Sequence, residues 1–321
     1  MTKHKWIAAV LVCMTGFTST AAIAETACPP PPAPLTPEKA KQLAAEARDH
    51  GLLWKFERNG RAGYLYGTIH VNRLEWVFPG PKTAAAFRDT DTLALELDVL
   101  SPEVQAKVSQ PESLGIKTLQ LPPPLQQRMN AVAEKMCAPV SLIAGRHAVM
   151  QLITVTIFDA RLAGLEASYG SDFFLAGIAK GVAKPVVGLE TAELQMRTLL
   201  GGSDEESLKL VDSSLAMFES GRQRKQTQRL TEDWAGGNLA DLQNFEQWCD
   251  CTTTEPERRF MRRINDDRNT GLAAGIDKLH REGKRLFVAI GTLHMVGPKA
   301  VTKLLAGMGY KVERVAFDSK P

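Results

Sequence analysis

Net charge is nearly absent from this 321-residue chain, where 39 Lys and Arg stand against 36 Asp and Glu for a formal +3. Nucleic-acid partners call for a concentrated basic footprint, so this near-balance excludes that class of binding. Apolar runs of membrane-spanning length are absent as well. The run from Trp6 to Phe17 falls short of the ~20 residues a span needs, and the one from Ala148 to Phe158 is bracketed by Arg146, His147, Asp159 and Arg161. No transmembrane segment is expected once the N-terminus is cleaved. Nucleophile-elbow G-x-S-x-G, zincin H-E-x-x-H, Walker A and G-x-G-x-x-G patterns are all missing, and Gly307-Met308-Gly309 lacks the third glycine. Serine-hydrolase, zincin and nucleotide-binding readings therefore have no support.

What is present begins with Lys3-His4-Lys5, an apolar stretch and small residues ending Ala22-Ile23-Ala24. That pattern predicts a secretory signal peptide over 1–24 and an exported protein, periplasmic or secreted. Cleavage there removes Lys3 and Lys5 but no acid, leaving the remainder close to neutral. Residues 25–35, containing CPPPPAP, form a proline-rich spacer that can join neither a helix nor an inner strand. Residues 36–321 are expected to form one α/β domain.

Of the five cysteines, Cys28, Cys137, Cys249 and Cys251 survive that cleavage. An oxidising compartment predicts at least one long-range disulfide. Bonding between Cys249 and Cys251, two positions apart, is expected to be strained, so each is expected to reach Cys137 or Cys28 instead, with Cys137, Cys249 and Cys251 the main candidates; the alternative leaves Cys28 free in its proline-rich tail. A metal role for the C-x-C pair lacks the second pair that zinc spacing demands.

Thr36-Pro37-Glu38 predicts a capped helix over 37–50. Apolar runs at 52–56 and 63–69 flank Asn59-Gly60 and predict an antiparallel hairpin. Further strands are predicted over 92–97, 185–189, 285–290 and 310–317, with a buried helix over 139–164. Residues 203–283, rich in charge and poor in strand signals, predict a helical segment inserted between strands, and the whole predicts a central mixed sheet flanked by helices.

Chemistry gathers at the predicted strand ends. Gly67-Thr68-Ile69-His70 closes one strand and Gly291-Thr292-Leu293-His294 closes another more than two hundred positions later, while Glu96 and Glu190 end two more. Ligand sites in open α/β sheets collect outside the carboxyl ends of strands. Gly67 and Gly291 suit a tight turn or a close approach of backbone to ligand. Two imidazoles with a carboxylate suit Zn²⁺, Mn²⁺, Co²⁺ or Fe²⁺, so His70, Glu96 and His294 are candidate ligands of a divalent metal ion such as Mn, Co or Zn. Arg268, beside Asn269, is a candidate anchor for a substrate carbonyl or carboxylate. His50, His147 and His280 are read as structural.

The two GTxH segments with Leu93-Ala94-Leu95-Glu96-Leu97-Asp98 resemble the TraB/GumN family, whose relatives include the TIKI metalloproteases and, more distantly, erythromycin-esterase-like and ChaN-like proteins. The likeness continues in Ala183 to Thr191 with Gln195, in Tyr169-Gly170-Ser171-Asp172, in Arg268-Asn269 and in Phe287 to Pro298, covering roughly 52–315. It implies a divalent-metal-dependent hydrolase acting on peptide bonds, with His70, Glu96 and His294 as principal residues. Glu190, Arg268 and Asn269 would support them, Glu190 as general base or as a partner fixing a histidine tautomer. A peptide or protein would be the substrate. Two other readings stand beside this one: a metal-free esterase-like hydrolase with His70 as base, and a non-catalytic protein that binds a peptide or glycan.

Overall fold

The computed structural model describes residues 28–318. The predicted signal peptide and the first residues of the spacer lie outside that range. Six strands form one mixed sheet in the order β4-β3-β5-β2-β1-β6, with β1 Leu52–Arg58, β2 Arg61–Thr68, β3 Thr92–Leu95, β4 Val186–Gly188, β5 Leu286–Gly291 and β6 Lys311–Arg314. The predicted α/β class is the one observed. Neighbours from β4 to β2 run parallel, and β1 is antiparallel to both β2 and β6.

The hairpin forms where Asn59-Gly60 predicts it. Both residues adopt positive φ, 55° and 74°, the conformation a two-residue hairpin turn with matching twist requires. Alternation along β1 and β5 then divides the core between the two faces of the sheet. Leu52, Trp54, Phe56, Leu286, Val288 and Ile290 pack with Leu272, Ala273 and Ile276 on one face. Leu53, Phe287 and Ala289 pack with Phe87, Leu175, Ala176 and Trp234 on the other. A third apolar cluster joins helices Pro123–Lys135, Ala148–Arg161 and Asp204–Glu219 beside the sheet.

The segment expected to be helical over 203–283 is so, from Asp204–Glu219 to Asp266–Arg281, and lies between β4 and β5 in the chain. Other expectations need correction. The first helix stops at Ala45 instead of 50, and the last strand ends at Arg314, before Phe317. The helix expected over 139–164 is broken. Gly145 takes φ 70°, which ends the preceding turn, and the His147 ring accepts a hydrogen bond from the Val149 N–H at 3.2 Å, so that a new helix starts at Ala148. His147 is thus a buried cap, with burial lowering its pKa.

Cysteine pairing also departs from expectation. Cys28 is not free, since it bonds Cys137 across 109 positions with Cα atoms 5.7 Å apart, which supplies the predicted long-range bridge. Arg161 also donates to the carbonyls of Pro29 and Pro30, so the spacer lies against the body. Cys249 and Cys251 bond to each other instead of reaching Cys137. Cys249 is extended, at φ −79° and ψ 119°, just before a short 3-10 turn, and this opens the Cα separation to 5.1 Å, inside the range a disulfide accepts.

Gly67 shows how closely the sheet and the loop after β5 approach. A Cβ there would meet Thr292 Oγ1 at 2.7 Å and its Cα at 3.1 Å. Gly67→Ala should therefore lower unfolding stability by about 1–3 kcal/mol in urea titration, and an unchanged midpoint would contradict this contact. Closure of a long loop stabilises more than closure of a short one, so Cys137→Ser should cost about 2–4 kcal/mol and Cys251→Ser far less. Equal losses in thermal denaturation would contradict the observed pairing.

Candidate functional site

Strand register assembles the site. In the parallel pair β2 and β5, Thr68 lies opposite Gly291, so both GTxH segments leave the sheet at the same edge. Beside them β3 and β4 continue their pairing past the strand ends. Leu189 N–H donates to Leu95 O and Glu190 N–H to Glu96 O, which sets the two glutamates side by side. His70, Glu96, Arg268 and His294 consequently line one cavity of about 410 Å³.

Gly170-Ser171-Asp172 docks onto the first motif. Ser171 N–H donates to Ile69 O at 2.9 Å, and its Oγ accepts from Ile69 N–H at the same length. A Cβ at Gly170 would sit 2.7 Å from His70 O, so only glycine permits this approach. The next residue, Asp172, places Oδ2 at 2.9 Å from His70 Nδ1. This carboxylate raises the pKa of His70, and solvent over a ring that is 70 % exposed screens part of the effect.

His294 has the opposite environment. It is 4 % exposed, and burial lowers its pKa. Asn269 Nδ2 donates to Lys299 O, which turns Asn269 Oδ1 toward His294 Nδ1 at 2.5 Å. The proton of the neutral ring is therefore held on Nδ1. Nε2 carries the lone pair and stands 3.7 Å from Glu96 Oε1.

Between the glutamates lies Arg268. Its guanidinium pairs with Oε2 of both, and its Nε also reaches the Glu190 oxygens at 3.0 and 3.2 Å. Gln195 Nε2 donates a hydrogen bond to each carboxylate, at 3.2 and 3.0 Å. Glu96 Oε1 accepts the Gly291 N–H at 2.7 Å. Burial alone would raise the Glu96 pKa, but Arg268, His70 and this N–H outweigh it and hold the group well below the usual carboxylate range. The Arg268 pKa rises against its own burial because two carboxylates flank it.

All six residues singled out from the sequence thus meet around one cavity or its immediate support, with Glu190 and Asn269 behind the lining. Gly67 and Gly291 serve close packing. Gly67 accommodates Thr292, and a Cβ on Gly291 would lie 3.3 Å from Glu96 Oε1. Neither has positive φ, and the close contacts each makes are with the protein's own side chains. Asp172 and Gln195, given no role from the sequence, prove to orient the central groups. An acid in the first turn of helix Ser171–Gly181 reads as a dipole partner, and that masks Asp172.

The donor set bears on metal binding. Glu96 has both oxygens engaged, and Asp172 is tied to His70. Among the described residues no group of three or more His, Cys, Asp or Glu is placed to hold a metal ion. As arranged, the residues do not fit a three-donor centre. The 3.7 Å separation of His294 Nε2 and Glu96 Oε1 is one that an ion could bridge, given bonds of about 2.0–2.2 Å.

The comparisons agree with this architecture. The model of the TraB/PrgY/gumN family matches residues 52–314, from the start of β1 to the end of β6. The uncharacterized protein YbaP of Shigella flexneri is 28% identical over 163 residues, covering 50% of this chain and 60% of that protein. The uncharacterized protein YbaP of Escherichia coli (strain K12) is 28% identical over 160 residues, covering 49% and 58%. The match thus spans about three fifths of the length of these relatives, and no solved structure matches the chain. With both GTxH segments, the paired glutamates and the whole sheet inside the matched region, the chain is a member of the TraB/PrgY/gumN family.

Proposed function

We propose that this chain is an exported hydrolase that cleaves a carbonyl bond, in a peptide by preference, at the cavity where the two GTxH imidazoles meet. One observation carries this reading. His70 and His294 both line the cavity, and each has Nδ1 held by a side-chain oxygen, from Asp172 and Asn269 respectively, which leaves Nε2 for chemistry. Export is supported by the leader pattern and by two disulfides, which suit an oxidising compartment. Among the described residues, no helix is long and apolar enough to cross a membrane.

In this mechanism the lone pair on His294 Nε2 accepts a proton from water as the oxygen attacks the carbonyl carbon. His70, partnered by Asp172, then donates its Nε2 proton to the leaving nitrogen or oxygen as the C–N or C–O bond breaks. Proton exchange with solvent returns both rings to their starting forms. Opposite environments suit these opposite roles, because burial disfavours charge on His294 and Asp172 favours it on His70. The Glu96, Arg268 and Glu190 assembly holds the strand ends in place and, through Glu96, faces the base.

The 3.7 Å between His294 Nε2 and Glu96 Oε1 favours a second reading, in which His294 and Glu96 would hold a divalent ion. Such an ion would supply Lewis acidity and a more acidic water.

Purified protein lacking residues 1–24 should turn over peptide or p-nitrophenyl ester probes. His294→Ala and His70→Ala should each lower kcat by about 10²–10⁴. Equal turnover by wild type and His294→Ala overturns the mechanism. Activity should survive chelation and dialysis, whereas loss restored by Mn²⁺, Co²⁺ or Zn²⁺ selects the second reading. Arg268→Met should destabilise the fold by about 3 kcal/mol, since it leaves two partly buried carboxylates without a counter-charge, and a loss below 1 kcal/mol in urea titration would contradict the clasp.

A further inference from the structure

Beyond the polar groups at the strand ends, the helices bring apolar side chains to the cavity beside Gln195, Thr198 and Asn265. Ile153, Leu199, Met261 and Ile264 line it, from helices Ala148–Arg161, Ala192–Leu200 and Glu255–Ile264. All four are only half-buried, and none joins the three apolar clusters that make up the core. Core packing therefore does not account for them. Four aliphatic side chains from three separate helices, converging opposite His70 and His294, form a receptor for an apolar group beside the reacting bond.

A second cavity of about 260 Å³ shares Met261, Asn265 and Leu293 with the first, and runs on to the segment 242–247 and to Val296-Gly297-Pro298. Met261, Asn265 and Leu293 thus form a wall common to both, so a second compartment adjoins the first. An isolated small ester would leave that compartment unused, whereas an extended chain would occupy both.

We propose that Ile153, Leu199, Met261 and Ile264 set substrate specificity, selecting an extended peptide that places a large aliphatic or aromatic side chain next to the scissile bond. This rests on the hydrolase reading for the word scissile, but the recognition itself does not need turnover. Affinity for an apolar side chain arises from removing its surface from water, and a charged one entering the same wall would lose hydration without gaining a partner.

Binding of uncleavable ketomethylene hexapeptides tests this by calorimetry on the full exported chain, with Leu, Phe, Ala, Lys or Asp beside the isostere. The Leu and Phe probes should bind at least tenfold tighter than the Lys and Asp probes. Leu199→Trp, which fills the wall, should reduce the preference for Leu over Ala at least fivefold, and Met261→Ala, which enlarges it, should shift preference from Leu toward Phe. Thermal melting identifies a misfolded variant, and the other variant then carries the test. Equal affinity for all five probes, binding of none, or preferences unmoved in both variants overturns the proposal. Selective binding without cleavage of the matching amide peptides by wild type would sink the hydrolase reading and leave this specificity standing.

Discussion

Everything at the site depends on the register of one parallel strand pair. Thr68 of β2 pairs opposite Gly291 of β5, so two motifs separated by most of the chain leave the sheet at the same level. Shifting one residue along either strand would turn every side chain to the other face and send one imidazole into the core. The register is held by burial on both faces, because Leu65 and Val288 point to one cluster while Tyr66, Phe287 and Ala289 point to the other. Trp234 adds a specific lock. This fully buried indole, contributed by the helical insertion, donates from Nε1 to Gly67 O at 2.7 Å at the end of β2.

Electrostatics follow from that placement. Adjacent strand ends bring Glu96 and Glu190 together in a poorly hydrated crevice, where two like charges would repel and each would lose solvation. Arg268 resolves the conflict by answering both, and its planar donors match two carboxylates in a way a lysine point charge does not. The assembly joins β3, β4 and helix Asp266–Arg281, so the same contacts that balance charge also fix where Asn269 stands, and through it the His294 ring. The atoms that balance charge thus also orient the His294 ring.

Much of this was legible in the sequence because it was written in short patterns. Asn59-Gly60 specified the hairpin, alternation along 52–56 and 285–290 specified the faces, and the repeated Gly-Thr-x-His specified which strand ends matter. Long-range partners were not legible in the same way. Asp172 reaches His70 across 102 positions through a docked Gly170-Ser171 turn, and its local context is that of an ordinary helix start. The break at Gly145 and His147 was hidden because the flanking residues share one apolar character, and the glycine's positive φ together with the His147 ring cap divides them. The cysteine pairs escaped because disulfide formation depends on Cα separation, which spacing along the chain does not determine. The apolar wall escaped too, since each helix contributes only one or two of its members.

The account's central claim is that His70 and His294 act on one bound substrate in one cavity. A double-mutant cycle measures this directly, using kcat/KM of wild type, His70→Ala, His294→Ala and the double variant on a single probe. Residues of one catalytic unit predict a double variant scarcely worse than the poorer single one. Losses that multiply would show two independent contributions and would contradict the shared site.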